Sequence, residues 1–564
     1  MIQKKSSFYL AMQQSEGVLL CLDKQATPFS RIWCCFEEAM IVEGQTLLLD
    51  IATVVDNEAV VLTDGFVEGD IKDGKELALE NKRDRESGFP LELLERGYQI
   101  DIRHAESCRQ DDKRRILNTI AGNVPPAELD SREPDLEEEA FTRVNKQLRS
   151  IFAEAASRKA AEVGRLDSVI QVIREDTYRD KLTLNLGGCD TFYLTSLKTL
   201  AGHPSLRELV IDCSYSDIHD VTGISAAIVN IPCLTKLDLS FKWCRTLHDV
   251  FPLCKGFLSM KNLAYLKLSF HACPFSVHLP NIEKVQNLES LSIDYAFTRT
   301  RAGKKALWGI FQLTNLRVLT LRFEACHEFT NAKTFEGLQN LIKLEDLTLD
   351  FAYTDLKDAT GLESVKTLKS LLRCNLNFKK CANLDSVSWL PQAVEHVNEL
   401  YVDLSECKRL EPDLQNIFHF WQDIVNAMGE ESGASLWWGY QADYKVDEEV
   451  EYFSSRHKCW FLAVVRNVVK DEVIITVKES PRKGYSRRIS ANDASSKIRR
   501  LTNDRRSVGH MPSSMSSIAS NGSMRASNAS TGSIATSMKA ALKPDKAKKA
   551  RRGMKAMIRS DSHL

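Results

Sequence analysis

Fifteen cysteines are distributed along the 564 residues. A thiol can ligate a metal, attack an electrophile or pair as a disulfide, and spacing separates these uses. The CxxC pairs typical of zinc sites are missing. Cys34 and Cys35 read as buried thiols, and His104 and Cys108 have no spacing that makes a dyad. The chain also has no GxxxxGK[ST] phosphate loop, no HExxH, no EF-hand pattern and no GxSxG elbow. No metal and no cofactor is expected. Six of the cysteines instead fall on a ladder: Cys189, Cys244, Cys273, Cys326, Cys381 and Cys407, with Ser216, Thr298 and Thr354 filling the intervening rungs. A small polar group recurring at this interval implies a repeated turn.

The elements that carry the ladder are nine short apolar segments, including LTKLDLSF, LRVLTLRF and LEDLTLDF. Seven residues before each rung stands a marker: Leu182, Leu209, Leu237, Leu266, Leu291, Leu319, Leu347, Cys374 and Leu400. Consecutive markers are 25 to 29 residues apart. In LRVLTLRF the alternation sends Leu319, Leu321 and Phe323 to one face and Val318, Thr320 and Arg322 to the other. Stretches such as TFEGLQNLIKL follow each strand and read as short helices. One repeat cannot bury its own apolar face, so the units must stack.

This pattern resembles the leucine-rich repeats, whose period is about 20–29 residues. The resemblance implies a solenoid over residues 179–430, with a parallel sheet on its concave side and a small polar residue bonding each turn. The strand pattern is two residues longer than the family's common form. An open solenoid end exposes core. The helical stretch 126–178, divided at Gly164, and the segment 414–429 are expected to cap the two ends. The outward strand positions lean acidic. Asp212, Asp238, Asp294, Arg322, Asp350 and Asp403 are the candidate contacts for a protein partner.

Residues 1–125 read as a small α/β unit, with strands at GVLLCLD, TLLLDIATVV and YQIDIRHAE and helices at FPLELLERG and DDKRRILNTIAG. Within it, Ser30, Trp33, Cys34 and Glu37 follow a strand and open a helix. This resembles the middle of a TIR domain. The resemblance implies a nucleotide-processing unit with Glu37 as its catalytic candidate. The residues alone imply a surface carboxylate, with Trp33 and Phe36 packed inward. Little chain precedes the motif, so a structural or assembly module without NAD-cleaving activity is the expectation.

Residues 437–502 alternate apolar and polar positions over short strands, among them VDEEVEYF, WFLAVV and KIRRL. They resemble a Tudor-like, SH3-type barrel. The resemblance implies a peptide ligand, held in some members by an aromatic cage for methylated lysine or arginine. It would place Tyr452, Phe453 and Trp460 there, where barrel packing is the alternative role. Residues 503–564 are Ser-rich and then basic, the composition of a disordered tail. The tail reads as a solvated segment, an import signal, or a basic arm able to fold back onto the acidic stripe.

The fold class expected is multidomain α/β and β. The function expected is a protein-binding scaffold. A TIR-like signalling enzyme governed by the repeats and a chromatin or methyl-peptide reader are the alternatives. A net charge of −1 gives no global pull toward nucleic acid, which leaves only the basic tail for such contacts. No segment is long and apolar enough for membrane insertion. Without a recognisable signal peptide, the thiols are expected reduced in the cytoplasm, with the nucleus as the alternative compartment.

Overall fold

The computed structural model describes residues 14–410, except 16, 45–47, 64, 73–77, 190, 276–277 and 301–306. Beyond 410 it describes only the strands within 433–500. The expected cap at 414–429 and the tail at 503–564 lie outside the described residues. The chain divides into two compact units, Met1–Tyr444 and Lys445–Leu564.

The first unit opens with β1 (Gly17–Leu22), α1 (Ile32–Gly44), β2 (Leu48–Val55) and β3 (Glu58–Leu62). β2 lies between a parallel β1 and an antiparallel β3. Asp56 and Asn57, both at positive φ, make the two-residue hairpin turn that joins β2 to β3. A single helical turn at Glu68–Ile71 leads into three longer helices: α2 (Ala78–Glu86), α3 (Leu91–Gly97) and α4 (Gln110–Ala121). The strand expected at 98–106 does not form. That segment is a series of turns with a single bridge, Arg31 to Glu106. The side chain of Asn145 accepts the Ile102 N–H at 2.9 Å, and Arg103 folds back onto Asp101. Side chains thus supply the bonds that a neighbouring strand would have given.

A long helix, α5 (Glu139–Glu162), and α6 (Leu166–Glu175) come next. Gly164, at φ 75°, makes the break between them. α5 packs against α3 on one side and against the first repeat strand on another. At Gly97 a Cβ would approach the Phe152 ring atoms to 2.8 Å, so only glycine admits α3 this close to α5.

The repeats form one parallel sheet. Its strands are β4 (Lys181–Asn185), β5 (Glu208–Asp212), β6 (Lys236–Ser240), β7 (Tyr265–Ser269) and β8 (Ser290–Asp294), then β9 (Val318–Arg322), β10 (Asp346–Asp350), β11 (Arg373–Asn377) and β12 (Glu399–Asp403). The nine markers pair marker to marker along the whole sheet, Leu182 with Leu209 through Cys374 with Leu400. A further strand, β13 (Gly433–Trp437), extends the sheet by pairing Ala434 with Leu400. This is the architecture of a leucine-rich-repeat solenoid.

In β9 the marker face is fully buried, while Val318 and Thr320 are half-buried and Arg322 is exposed. The return segments opposite the open face are partly α-helical, as at Thr222–Val229, and partly 3₁₀, as at Lys333–Asn340 and Thr360–Thr367. A 3₁₀ turn rises about 2.0 Å per residue against 1.5 Å for an α-helix, so it crosses the repeat with fewer residues.

In the second unit, β14 (Glu449–Ser454), β15 (Cys459–Val469), β16 (Glu472–Val477), β17 (Ser486–Ser490) and β18 (Ile498–Arg500) form an antiparallel sheet in the order β17-β16-β15-β14-β18. β18 returns to pair with the first strand, Val450 opposite Arg500.

Candidate functional site, the rim of the repeat sheet

Each repeat turns at the C-terminal end of its strand by the same set of contacts. Four residues past the marker an apolar side chain points inward. Tyr295, Phe323, Phe351 and Phe378 occupy this place in successive repeats and stack at 5.1–5.7 Å between ring centres. Three residues past the marker, Asp212, Asp294, Asp350 and Asp403 each accept the backbone N–H two residues further on, at 2.9–3.0 Å. Seven past it, the Cys244, Cys273, Cys326, Cys381 and Cys407 thiols each donate to a carbonyl of the preceding repeat at 3.0–3.1 Å. Ser216 does the same with its hydroxyl at 3.0 Å.

These contacts explain the polar ladder. Burial pushes the thiols of Cys244, Cys273 and Cys407 up to about 12, and those of Cys326 and Cys381 up to about 11. Protonated, buried and bonded to carbonyls, they hold turns. Every described cysteine is free, and among the described residues no cluster of His, Cys, Asp and Glu could hold a metal ion.

Six residues past each marker the backbone is left-handed in all nine repeats. Gly188 fills the first rung. Tyr215, Trp243, Ala272, Phe297, Ala325, Tyr353, Lys380 and Glu406 follow at φ 54–61°. Their N–H groups reach the next repeat's carbonyls, as from Trp243 to His271 at 2.8 Å and from Tyr353 to Lys379 at 2.7 Å. A bulky residue at positive φ is uncommon and costs energy where glycine would fit without strain. Here the aromatic side chains stand outward: Tyr215 is 44%, Trp243 36%, Phe297 50% and Tyr353 37% exposed.

The rings form a continuous run. Tyr215 stacks on Trp243 at 6.2 Å, Trp243 meets His271 at 6.0 Å, and His271 meets Phe297 at 5.0 Å. Arg245 lies over Trp243, and Lys380 over Tyr353. Beside this ridge lie Asp294, Glu324 and Asp350, with Arg322 among them. Burial raises Glu324 above the usual carboxylate range, and neighbouring Asp350 adds to that. Burial likewise raises Asp350 against its bond from the Ala352 N–H. At Asp294, burial is outweighed by the nearby His271 ring and the Ala296 N–H, and the carboxyl is held low.

The structure redistributes the acidic stripe. Asp238 pairs with Lys267 at 2.8 Å, and Asp346 with Arg373 at 2.8 Å, across adjacent strands. Asp212 and Asp403 serve their turns, and Asp403 is buried. The acidic lean therefore does two jobs within the sheet before any partner is considered. The aromatic ridge was not anticipated, although Tyr215, Trp243 and Phe297 stand six past a marker and His271 five past.

In the N-terminal unit, Trp33 is 44% exposed and Phe36 is buried, so only the second packs inward as expected. Glu37 is half-buried and raised by that burial. The adjacent Glu38 is the more deeply buried carboxyl. Neither of its oxygens meets a hydrogen-bond partner among the described residues, and burial holds it well above the usual range. In the second unit the register sets Phe453 opposite Trp460 and Tyr452 opposite Phe461.

No protein-family model matches the chain, and no curated protein matches it. Similar solved structures include the Arabidopsis receptor kinase HAESA in complex with the peptide hormone IDA and the co-receptor SERK1. It is 18% identical over 45% of this chain and 37% of that one, at a TM-score of 0.26. The mouse RP105/MD-1 complex is 18% identical over 44% and 50%, at 0.22. The plant peptide hormone receptor RGFR1 in complex with RGF2 is 11% identical over 48% and 58%, at 0.15. The chain therefore spans less than two thirds of the length of each.

Proposed function

We propose that this protein is a non-catalytic binding scaffold whose repeat sheet docks a basic segment of a protein partner along its rim. The observation that carries this reading is the ridge Tyr215–Trp243–His271–Phe297, in which the exposed Tyr215, Trp243 and Phe297 stand at left-handed positions where glycine would be less strained. A fold that keeps bulky aromatics in such positions and leaves them uncovered has a use for their surface. Aromatic faces and edges bind the stems and heads of lysine and arginine, as Arg245 and Lys380 already do within the chain. Glu324 and Asp350 carry charge against burial, and an incoming cation relieves that cost. No helix among the described residues is long and apolar enough to cross a membrane.

The test is fluorescence anisotropy of the full chain with a panel of basic, neutral and acidic peptides. Basic peptides bind best and weaken with salt. Trp243→Ala with Phe297→Ala lowers affinity at least tenfold. Affinity also falls as pH drops through the raised range of Glu324 and Asp350, because the bound cation competes with their protons. Equal binding of acidic and basic peptides, or an unaffected double variant, refutes the reading.

The second unit supports an additional proposal. The return of β18 onto β14 after an antiparallel meander supports reading this sheet as a Tudor-like or SH3-type barrel. We read it as a small peptide-binding module, with Phe453 and Trp460 at one register position. For the N-terminal unit we keep the non-enzymatic reading. NAD turnover by the full chain that disappears in Glu37→Ala would overturn it.

A further inference from the structure

Where the N-terminal unit meets the first repeat, the chain encloses a cavity of about 390 Å³. Leu49, Ile51 and Leu62 from the three-stranded sheet and Ile151 and Ala155 from α5 give it an apolar wall. Thr183 and Asn185 of β4 form part of the opposite side. Ligand sites have this size and this mixture of apolar wall and few polar groups.

The polar end is unusual. Arg158, on α5, is only 7% exposed. Its Nη2 meets Glu86 at 3.2 Å, while its Nη1 has no hydrogen-bond partner among the described residues. Of the buried polar atoms left without a partner, it alone belongs to a residue lining this cavity. An unmet donor on a buried guanidinium is costly. Lys82, Arg85 and Arg158 converge on Glu86, and Arg85 also grips Asp70 through two bonds of 2.9–3.0 Å and feels Asp50. None of these carboxylates meets Arg158 Nη1.

Two carboxylates that line the far wall, Glu154 and Asp176, are committed to the fold. Glu154 accepts the Thr183 N–H at 2.8 Å and pairs with Arg179. Asp176 takes the Tyr178 N–H at 3.2 Å and faces Arg179 at 3.6 Å. What the cavity lacks is one anionic acceptor at Arg158, with hydrocarbon to fill the space beside it.

We propose that this cavity binds a small amphipathic organic anion. Its carboxylate or phosphate accepts from Arg158 Nη1, and its apolar body lies against Leu49, Ile51, Leu62 and Ile151. Two sequence-distant parts, the β1–β3 sheet and the first repeat, supply its walls, so occupancy ties the N-terminal unit to the start of the solenoid. The site shares no residue with the aromatic rim.

The experiment is calorimetric titration of the full chain with sodium octanoate and with octyl phosphate. Octanol and octylamine are the neutral and cationic controls. At least one anion binds saturably at one site, tenfold or more tighter than either control. Arg158→Gln weakens that binding at least tenfold, and Ala155→Phe, which fills the cavity but keeps Arg158 and Glu86, abolishes it. A preference for octyl phosphate over octanoate assigns a phosphate monoester, and the reverse a carboxylic acid. Failure of both anions to bind, equal binding of octanol, or an anion affinity unchanged in Arg158→Gln overturns the proposal. Should Arg158→Gln not fold, as read by circular dichroism, unchanged octanoate binding in Ala155→Phe overturns it equally.

Discussion

The repeats and the N-terminal unit answer one question, how buried polar backbone is satisfied, in opposite ways. In the repeats the answer is copied. Strand, turn carboxylate, left-handed rung and thiol recur, and all but the carboxylate bond the neighbouring repeat. In the N-terminal unit every answer is used once: Asn145 for the Ile102 N–H, Asn118 for the carbonyls of Leu129 and Arg132, Lys82 for the carbonyls of Thr63 and Gly65. Repetition makes a region legible and locally replaceable. Single-use contacts make a region specific, and they are where cavities and unmet groups collect. The junction between the two is single-use as well: Glu154 takes a backbone N–H of the first strand, and His203 bridges α6 to the first turn.

The comparison breaks first at the repeat core. Phe351 is fully buried between Phe323 and Phe378, and Phe351→Ala is expected to cost about 3–5 kcal/mol. Because repeats couple mainly to their neighbours, hydrogen exchange should accelerate in β9–β11 and leave α5 protected. Equal acceleration in both regions would show that the solenoid and the N-terminal unit unfold as one body.

At the junction, Glu154→Ala strips the Thr183 N–H of its acceptor and leaves Arg179 with Asp176 and Ser150. A loss of about 1–3 kcal/mol in urea unfolding is expected, the cost of an unmet donor. His203 supplies a pH test there. Burial, helped by nearby Arg174, depresses its pKa to about 4. Its Nδ1 accepts the Leu206 N–H at 3.2 Å, so the neutral ring donates from Nε2 to the Asp176 carbonyl at 3.0 Å. The unfolded chain takes up the proton near pH 6.5 and the folded chain only near pH 4. Stability therefore falls as pH drops through that window, by on the order of 2 kcal/mol. His203→Gln should remove this slope, and a slope that survives assigns the proton uptake elsewhere. The smallest effect is expected on the ladder itself. Cys381→Ser keeps a donor to the Phe351 carbonyl in a rung that Ser216 fills naturally, so melting should show a loss of under ~1 kcal/mol. Cys381→Ala, which removes the thiol's contacts with that carbonyl and with the Thr354 hydroxyl and leaves a small void, should cost more.

The same contrast governs what could be read from the residues. The nine markers specified strand position and pairing, because a pattern repeated nine times averages out local ambiguity. The polar ladder was recognised as turn chemistry, but the aspartates at Asp212, Asp294, Asp350 and Asp403 were assigned to a partner. Their first task is to accept the N–H two residues on, a role that Asn377 fills equally. In the N-terminal unit the β2–β3 hairpin was missed, although Asp56–Asn57 is a turn signal, and a strand was expected at 98–106. Short apolar runs are ambiguous there, with no second copy to correct them. The cavity has no local signature at all: Leu49, Arg158 and Thr183 belong to segments that only the fold brings together.

The outward rungs also have a metric. Successive rings from Tyr215 to Phe297 stand 6.2, 6.0 and 5.0 Å apart. An α-helix returns a side chain to the same face about every 5.4 Å, whereas a strand does so about every 6.7 Å. Over the whole run a helix laid along the rim, one turn to each ring, falls short by about 1 Å. A strand laid the same way overshoots by about 3 Å, most of it at the 5.0 Å step. The spacing of the array thus acts as a ruler that discriminates by secondary structure before any side chain is compared.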